Sequence, residues 1–494
     1  MATAIPPNQA PFTVQEIARA TGGRIVREGG ASIGVSTDTR AIKPGSAFVA
    51  LTGDKFDGHA FLANAVALGA RTLVVSRDDA GTLAGVVEDA DPAVVLVSDT
   101  RAALGALARA HRSRWARGEP PRIVIGITGS AGKTTTKSVL ARVLDAMAEG
   151  SVHATAGNLN NDIGVPMTLF GLTEDRHYAV VEIGTNARGE IERLSRMAEP
   201  DVGVLTLVAA AHTEGLGSID EVAAEKGALL AALPKSGLAV ANADDARAVA
   251  QLANSPAQTS LTYGFSDKAD YRVVFAESHG ARGNRLRLVR RAGELEVDSP
   301  LLGEAGALAV TASLAVAEWV TTRAATVDEL RAALSPRAHE VDGRLSLVPL
   351  ADGTLVIDDS YNANPASMEA SLRAACDVAA REKRRLVVVL GEMRELGEMS
   401  TREHDKLGQL VARADVGEVI SVGGEAERVT REVARAGKSA WFALDAEQAV
   451  GTVLSRVLPG DVVLVKGSRG VATEKIVRAL VEARGRAPNG GGAA

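Results

Sequence analysis

The chain has a single cysteine, Cys376, among its 494 residues, so it cannot form an intramolecular disulfide. Cys376 lies in an alanine-rich stretch with helical periodicity, which indicates a packing role. Structural disulfides belong to oxidising compartments. Their exclusion agrees with a cytoplasmic location, which is the expectation for this chain.

Aromatic residues make up only 3% of the sequence, whereas alanine, valine and glycine are abundant. Small aliphatic side chains of this kind fill the cores of parallel sheets that helices cover on both faces. The composition therefore predicts the α/β class. At this length we expect about three domains.

Long apolar runs and long basic runs are also missing. No stretch approaches the roughly 18 apolar residues that a membrane-spanning helix needs, so we expect no membrane span. The net charge is −6, and without a basic run we expect no nucleic acid partner. The negative net charge does not exclude a small anionic substrate, because its binding depends on the local charge of the loops that contact it. No segment indicates an oligomer, and a monomer is expected.

Alternating helix and strand patterns divide the chain into three predicted α/β domains. Residues 1–118 form a small N-terminal domain, and residues 119–340 form a central domain with a parallel sheet. The β-like pattern of residues 267–297 predicts an antiparallel appendage to that sheet. Residues 341–486 predict a doubly wound, Rossmann-like C-terminal domain, and residues 487–494 predict a disordered tail.

The most informative motif is the segment Gly126-Ile-Thr-Gly-Ser-Ala-Gly-Lys-Thr-Thr-Thr-Lys137, which lies between an apolar run and a helical pattern. Its glycines let backbone N–H groups approach phosphate oxygens, and the helix N-terminus adds positive potential. Lys133 can reach the β- and γ-phosphates, and the Thr134 hydroxyl can bind Mg²⁺. The strict P-loop pattern has Gly where this chain has Ile127, but the flanking strand and helix favour a nucleoside triphosphate site. The predicted nucleotide contacts are Gly129, Ser130, Ala131, Gly132, Lys133, Thr134 and Thr135.

Polar side chains follow several predicted strands, at the edge where parallel sheets bind ligands. Glu182 ends the strand after the phosphate loop and can hold the Mg²⁺ that bridges nucleotide phosphates. His212 and Asp359 follow two further strands. Glu182 alone is as readily a solvated acid at a strand end, and a lone histidine such as His212 is more often structural than a ligand. The shared position of these residues is the stronger observation. The Asn-rich loops 157–166 and 358–365 can hydrogen-bond a polar ligand or form turns.

Taken together, these segments resemble the Mur ligases of bacterial cell-wall synthesis. The segments that carry the resemblance are 36–45, 53–59, the phosphate loop, 157–166, 182–190 and 358–365, with support from 212–217, 391–397 and 466–470. The forms Asn-Leu-Asn-Asn at 158–161 and Tyr-Asn-Ala-Asn-Pro at 361–365 match the family member that adds a D-alanyl-D-alanine dipeptide. The shorter glycine loop is also the form that the family shows.

The resemblance implies an ATP-dependent amide ligase that joins D-alanyl-D-alanine to a UDP-linked muramoyl tripeptide through an acyl phosphate. The N-terminal domain would hold the UDP end, through residues 37–40 and 56–59. The central domain would bind ATP, and the C-terminal domain would close over the site and help to bind the dipeptide. The implied substrate contacts are Thr37, Asp38, Thr39, Arg40, Asn158, Asn160 and Asn161. Further implied nucleotide contacts are Arg344, Asp359 and Asn364.

The resemblance also implies two Mg²⁺ ions and a possible lysine modification. The implied metal-side residues are Thr134, Glu182, His212 and Lys226, and the implied catalytic residues are Lys133, His212 and Lys226. Without the resemblance, Lys226 would be interpreted as a surface residue of a helix. In the family a lysine at this place is often carbamylated, which turns a cation into an anionic ligand, and we expect the same here.

One departure from the family pattern leaves alternatives open. The family usually has a His-Asn pair before the helix that ends the central domain, where this chain has Ala305 and Gly306. A sister amide ligase with another amino acid or a folate-type acceptor is one alternative, and the forms at 158–161 and 361–365 argue against it. A degenerate ATP-binding protein with a structural or regulatory role is the other, and the retained metal-side residues argue against that.

Overall fold

The computed structural model describes residues 5–53, 56–77, 92–148, 150–335 and 343–487. Three larger sheets with helices follow one another along these ranges, so the predicted α/β class is confirmed. The predicted boundary at 340/341 and residues 488–494 of the predicted tail lie outside the described residues. Within the same ranges, no helix combines the length and the hydrophobicity that crossing a membrane requires.

The first part of the chain forms a five-stranded sheet and two two-stranded sheets. Its strands are β1 (Pro11–Phe12), β2 (Arg24–Arg27), β3 (Ser32–Ile33), β4 (Val35–Ser36), β5 (Ala47–Val49), β6 (Thr52–Gly53), β7 (Phe56–Asp57), β8 (Thr72–Val75) and β9 (Ala93–Leu96), and its helices are α1 (Val14–Thr21), α2 (Leu62–Ala67) and α3 (Thr100–Trp115). The main sheet has the order β2-β9-β8-β5-β4. Only its edge pair β2–β9 is antiparallel. Asp99 caps α3 by accepting hydrogen bonds from the backbone N–H groups of residues 101 and 102.

The central part is built on a nine-stranded sheet. Its strands are β10 (Ile123–Thr128), β11 (Val152–Ala154), β12 (Tyr178–Glu182), β13 (Val202–Leu205), β14 (Leu238–Asn242), β15 (Thr259–Gly264), β16 (Tyr271–Ser278), β17 (Asn284–Arg290) and β18 (Gly293–Ser299). The order is β11-β12-β10-β13-β14-β15-β16-β17-β18, parallel as far as β16 and antiparallel beyond it. The antiparallel pairing expected for 267–297 is thus confirmed, and these strands continue the central sheet.

Helices cover the central sheet. They are α4 (Lys133–Ala148), α5 (Gly164–Phe170), α6 (Glu190–Ala198), α7 (Thr213–Leu216), α8 (Ile219–Ala231), α9 (Ala246–Ala250), α10 (Gly303–Val320) and α11 (Val327–Ala333). Helix α10 is almost wholly buried and rich in alanine, so it packs closely against α4. Ser313 Oγ on α10 donates to the carbonyl of Thr136 on α4 at 3.3 Å. Helix α4, which follows the phosphate loop, is therefore packed against α10 and hydrogen-bonded to it.

The last part is a doubly wound sheet, as the sequence predicts. Its strands are β19 (Ser346–Pro349), β20 (Leu355–Asp359), β21 (Leu386–Gly391), β22 (Glu418–Val422), β23 (Ala440–Ala443) and β24 (Val462–Lys466), and its helices are α12 (Pro365–Glu382), α13 (Ser400–Arg413), α14 (Glu427–Arg435), α15 (Ala446–Arg456) and α16 (Glu474–Arg484). The order is β19-β20-β24-β21-β22-β23, and only the edge pair β19–β20 is antiparallel. Separate apolar clusters cover its two faces.

The first and central parts share a continuous apolar core. Leu104, Leu107 and Trp115 of α3 belong to the same cluster as Val165 and Phe170 of α5. Such a shared core fixes the orientation of the two parts, because separating them would expose this apolar surface to water.

A buried arginine at this junction binds the end of helix α6. Arg112 on α3 is 9% exposed. Its Nε donates to the carbonyl of Ala198 at 2.9 Å, and its Nη2 donates to the carbonyl of Glu199. Arg109, one turn away on the same helix, has an exposed side chain and pairs with the half-buried carboxylate of Glu199 at 2.7 Å, which Arg112 Nη1 also contacts at 3.2 Å. The two arginines therefore contact the same residue in different environments.

We expect Arg112→Ala to lower the free energy of unfolding by about 2–4 kcal/mol, because it leaves buried carbonyls without donors. Arg109→Ala removes an exposed ion pair and should cost less than about 1 kcal/mol. Urea unfolding followed by tryptophan fluorescence, to which Trp115 at the junction contributes, measures both. Equal losses in the two variants would contradict the assignment of Arg112 as the structural contact.

Candidate active site

A cleft of about 1010 Å³ lies between the central and C-terminal sheets. The carboxyl ends of parallel strands from both sheets meet there, which is the usual place for ligands in α/β folds. The predicted site residues that line it are Ser130, Ala131, Gly132, Lys133, Thr135, Asn158, Asn160, Asn161, Glu182, His212, Arg344, Asp359 and Asn364. The fold therefore brings together residues that are far apart in the chain.

The phosphate loop connects β10 to α4, in the predicted order of strand, turn and helix. Ile127 is fully buried in β10, so the strand continues through the position where the strict P-loop pattern has Gly. The turn begins at Gly129, where a Cβ atom would lie 2.0 Å from Thr206 Oγ1. Gly132 has a φ of +84°, which favours glycine. Lys133 Nζ donates to the carbonyl of Gly129 at 2.6 Å, so its amine lies over the loop.

The carboxylate of Glu182, at the end of β12, lies beside the start of α4 and is 1% exposed. Its Oε2 accepts a hydrogen bond from Thr134 Oγ1 at 2.9 Å, and its Oε1 accepts one from Asn160 Nδ2 at 2.8 Å. Lys137 Nζ lies 3.7 Å from Oε2. The sequence interpretation paired Thr134 with Glu182 but missed Lys137. Its spacing of one helical turn from Lys133 is the signal that could have identified it.

The charges around Glu182 are strongly coupled. Burial opposes the ionised form of this carboxyl, but the positive charges of Lys137, Arg344 and Lys133 outweigh that effect and lower its pKa. Burial lowers the pKa of Lys133 and of Lys137, and the negative charge of Glu182 opposes that change. Three cations around one carboxylate leave an excess of positive charge, which suits a polyphosphate.

Lys226 on α8 is 1% exposed, so its interpretation as a surface residue was wrong. Burial, and then the nearby charge of Lys133, lower the pKa of Lys226 to about 7. A substantial fraction of the amine is therefore neutral at neutral pH. Among lysines, such a buried neutral amine is unusual and marks a candidate reactive group.

His212 lies directly before α7 with a φ of +58°. Its Nδ1 lies 2.5 Å from Oε2 of Glu395, a residue of the C-terminal part. Glu395 was not identified as a site residue from the sequence. The two residues are 183 positions apart, and no local pattern connects them.

Two predicted nucleotide contacts on the C-terminal wall have structural partners. Asp359 Oδ2 accepts hydrogen bonds from Lys466 Nζ at 2.6 Å and from Ser371 Oγ at 2.5 Å. Asn364 caps α12, and its Nδ2 donates to the carbonyl of Ser130 in the phosphate loop at 2.9 Å. Asp359 thus has little acceptor capacity left for a nucleoside, whereas Asn364 joins the two sides of the cleft.

The C-terminal wall also carries stacked cations. The guanidinium of Arg344 lies 4.2 Å from the ring centroid of Tyr361, and that of Arg469 lies 5.5 Å from it. Arg394 and Arg469 follow the neighbouring strands β21 and β24 and line the cleft. This wall therefore presents a further group of positive charges to the cleft.

The structure places the predicted substrate contacts in two separate regions. Asn160 binds Glu182, and Asn161 Oδ1 accepts the backbone N–H of Gly164 at 2.8 Å at the start of α5. Of the segment Thr37, Asp38, Thr39 and Arg40, the Asp38 carboxylate pairs with Arg40 at 2.6 Å, and the Arg40 side chain is 89% exposed. Among the described residues, this segment lines neither the cleft nor the second cavity.

The second cavity, of about 570 Å³, lies in the first part of the chain at the ends of β8 and β9. It is lined by Thr52, Asp57, Ser76, Arg77, Ser98, Asp99, Thr100 and Arg101. Asp57 belongs to the 56–59 loop and pairs with Arg77. Arg101 pairs with Asp162 at 2.7 Å. The cavity is thus joined to the Asn-rich loop that contributes to the main cleft.

The start of α10 shows what replaces the His-Asn pair of the family. Ala305 lines the cleft with a methyl group. At Gly306, a Cβ atom would lie 2.6 Å from Cβ of Leu301, so a side chain there would require the backbone to shift. Neither residue can offer a side-chain hydrogen bond to a nucleobase.

The residues around Glu182 fit a hard cation. The Thr134 hydroxyl and the Glu182 carboxylate are oxygen donors, the type that Mg²⁺ prefers. In the part of the chain that the structure describes, no group of three or more His, Cys, Asp or Glu could hold a metal by itself. A Mg²⁺ ion at this place would complete its shell with phosphate oxygens and water. His212 and a cationic Lys226 would offer a second ion only one donor.

Comparisons with known proteins agree with this arrangement. Three family models match in order: "Mur ligase family, catalytic domain" at 33–112, "Mur ligase middle domain" at 127–317 and "Mur ligase, glutamate ligase domain" at 343–469. The UDP-N-acetylmuramoyl-tripeptide–D-alanyl-D-alanine ligase of Escherichia coli K12 is 37% identical over 464 residues, covering 91% of this chain and 93% of that protein.

Solved structures show the same relationship. A crystal structure of MurF from Acinetobacter baumannii has a TM-score of 0.82 at 30% identity, covering 96% of this chain and 100% of that one. MurF from Thermotoga maritima in complex with ADP has a TM-score of 0.76 at 26% identity, covering 91% and 97%. Because the sequence and the fold match over almost the whole chain, this protein belongs to the Mur ligase family.

Proposed function

We propose that this chain is an ATP-dependent amide ligase that adds D-alanyl-D-alanine to a UDP-N-acetylmuramoyl-tripeptide in peptidoglycan precursor synthesis. The observation that carries the proposal is the cleft in which a phosphate loop faces a cationic wall from a second sheet. Relatives named for this activity match the chain over nine-tenths of its length, and the ADP complex of one structural neighbour supports nucleotide binding in the cleft.

The chemistry explains why such a site needs many cations. A carboxylate is a poor acyl donor, because its oxygen is a poor leaving group. Transfer of the γ-phosphoryl group gives an acyl phosphate, and attack by the dipeptide amine then releases phosphate. An α-amine has a pKa near 8, so a neutral fraction is present at pH 7. Lys133, Lys137 and Arg344 offset the repulsion between the triphosphate and the carboxylate.

We assign Thr134 and Glu182 to one Mg²⁺ ion, and His212 with a carbamylated Lys226 to a second. The ions would neutralise charge that develops on the phosphoryl and acyl oxygens. The carbamate would supply the oxygen donors that the unmodified lysine lacks. The remaining predicted nucleotide contacts, Gly129 to Thr135 with Arg344 and Asn364, stay part of this proposal. Asp359 stays in it only through the small acceptor capacity that its bonds to Lys466 and Ser371 leave.

We assign the UDP end of the first substrate and the carboxylate of the dipeptide to separate places. The UDP end would occupy the second cavity, where Arg77 and Arg101 can receive the diphosphate beside the 56–59 loop, and it would reach the 37–40 loop outside that cavity. The dipeptide carboxylate would meet Arg394 and Arg469 on the C-terminal wall. We further propose that the ligase acts as a monomer in the cytoplasm.

The test is phosphate release from ATP with Mg²⁺, the UDP-linked tripeptide and D-alanyl-D-alanine. Release should require the dipeptide and be accompanied by the UDP-linked pentapeptide in mass spectrometry. Folded protein that releases no phosphate in response to the dipeptide would overturn the proposed function.

Replacement of the loop lysine should stop the reaction. Lys133→Ala removes the charge over the phosphate loop, and we expect turnover to fall at least about a hundredfold. Lys235→Ala, on an exposed loop, is the matched control and should keep wild-type turnover. Circular dichroism checks that both variants fold. Near-normal turnover of Lys133→Ala would show that the loop is misassigned.

Carbamylation of Lys226 can be detected without turnover. With ¹³C-labelled bicarbonate, the wild-type protein should show a carbamate carbon signal in NMR, and Lys226→Arg should not. The reactive form is the neutral amine, and the pKa of Lys226 is about 7. The signal should therefore grow as the pH rises through 7 and fade below it. A signal that survives in Lys226→Arg would place the modification elsewhere.

The dipeptide carboxylate can be tested with a substrate that lacks it. Arg394→Ala should raise the KM for D-alanyl-D-alanine about ten- to a hundredfold, because a charge-assisted hydrogen bond is lost. The KM for ATP should stay unchanged. The C-terminal amide of the dipeptide should be a poor substrate for both proteins alike. If Arg394→Ala still preferred the free carboxylate by the wild-type factor, the assignment would be wrong.

A further inference from the structure

One short segment of the central part meets one loop of the C-terminal part at the edge of the cleft. His212 Nδ1 lies 2.5 Å from Oε2 of Glu395. The backbone N–H of Glu214 donates to the carbonyl of Glu395 at 3.2 Å. Thr213 Oγ1 donates to the carbonyl of Leu396 at 2.9 Å. These three bonds join the same two segments, and only the first involves the imidazole.

The backbone at this contact adopts conformations that side chains disfavour. His212 has a φ of +58° and Glu395 a φ of +64°, both in the left-handed region that non-glycine residues seldom occupy. Such strained residues concentrate at functional sites. The Glu395 side chain is 56% exposed, and an exposed ion pair adds little to stability. Stability therefore does not explain the contact between His212 and Glu395, and its effect on the geometry of the imidazole is the better explanation.

The hydrogen bond to Glu395 fixes the tautomer of the His212 imidazole. A carboxylate can only accept hydrogen bonds, so the bond to Glu395 requires the proton of His212 to be on Nδ1. The lone pair of a neutral ring is then on Nε2. A carboxylate behind a histidine sets the tautomer and the ring orientation of metal-binding histidines in the same way. The 19% exposed side chain of His212 is thus held with Nε2 as its free acceptor.

We propose that Glu395 is the positioning residue for His212, and that it acts only when the central and C-terminal parts are together. The proposal rests on the proposed function in one respect, namely that His212 serves the reacting site. Because the carboxylate comes from the opposite wall, the histidine is oriented at the moment when the cleft is assembled. Bringing the walls together then orients His212 as well as enclosing the substrates.

The chain offers a control within the same contact. Thr213→Val removes the hydrogen bond to Leu396 and loosens the junction, but it leaves the Glu395–His212 bond in place. Glu395→Ala removes the bond to the imidazole and leaves the Thr213 bond. Glu395→Gln keeps an oxygen that can accept the Nδ1 proton but removes the charge. If closure alone mattered, Thr213→Val and Glu395→Ala would behave alike.

The first measurement does not depend on activity. Protein labelled with ¹⁵N-histidine reports the tautomer of each ring, and the His212 signal is identified by its loss in His212→Gln. We expect the Nδ1–H form in the wild type and in Thr213→Val, and the Nε2–H form in Glu395→Ala. Manganese binding to the ADP complex, followed by electron paramagnetic resonance, should weaken about ten- to a hundredfold in Glu395→Ala only.

The second measurement is turnover. Glu395→Ala should lower kcat about tenfold or more with little change in the KM for ATP, Glu395→Gln should recover part of that loss, and Thr213→Val should stay within about twofold of wild type. An unchanged His212 tautomer in Glu395→Ala, or equal effects of Glu395→Ala and Thr213→Val, would overturn the proposal. If the wild type released no phosphate in response to the dipeptide, the proposed function would fail, and the tautomer and manganese results would still decide the role of Glu395.

Discussion

The site depends on keeping one buried carboxylate, that of Glu182, ionised. Taking a charge out of water costs more than a single neighbouring cation returns. Here Lys137, Arg344 and Lys133 surround the group and lower its pKa, and two side chains donate hydrogen bonds to it. The resulting excess of positive charge is also what allows a triphosphate and a second carboxylate to approach each other.

This balance of charge is shared between two parts of the chain. Arg344 belongs to the C-terminal part and stacks on Tyr361, so its contribution to Glu182 requires the cleft to be assembled. Asn364 reaches across to the carbonyl of Ser130, which ties the same wall to the phosphate loop. Closure therefore completes the electrostatics of the cleft together with its shape, and an open form would lack both.

Local patterns were sufficient to predict the phosphate loop, the alternating strands and helices, and the strand-end position of Glu182, because each depends on neighbours in the sequence. The environment of Lys226 was interpreted wrongly from the sequence alone, since periodicity does not tell which helix face another element covers. Asn161 was predicted as a substrate contact and lies at a helix start, because an Asn in a turn can do either. Glu395 was missed, since its proximity to His212 arises only from tertiary structure.

Burial together with a neighbouring cation accounts for the unusual state of Lys226. Burial is the larger cause of the lowered pKa of this amine, and the nearby charge of Lys133 lowers it further. The neutral amine is the form that can react with carbon dioxide. Carbamylation would replace that cation with an anion, which the surrounding field favours. If Lys226 is carbamylated as proposed, it and the ionised Glu182 would both add negative charge near Lys133, where the bound phosphates alone would otherwise have to supply it.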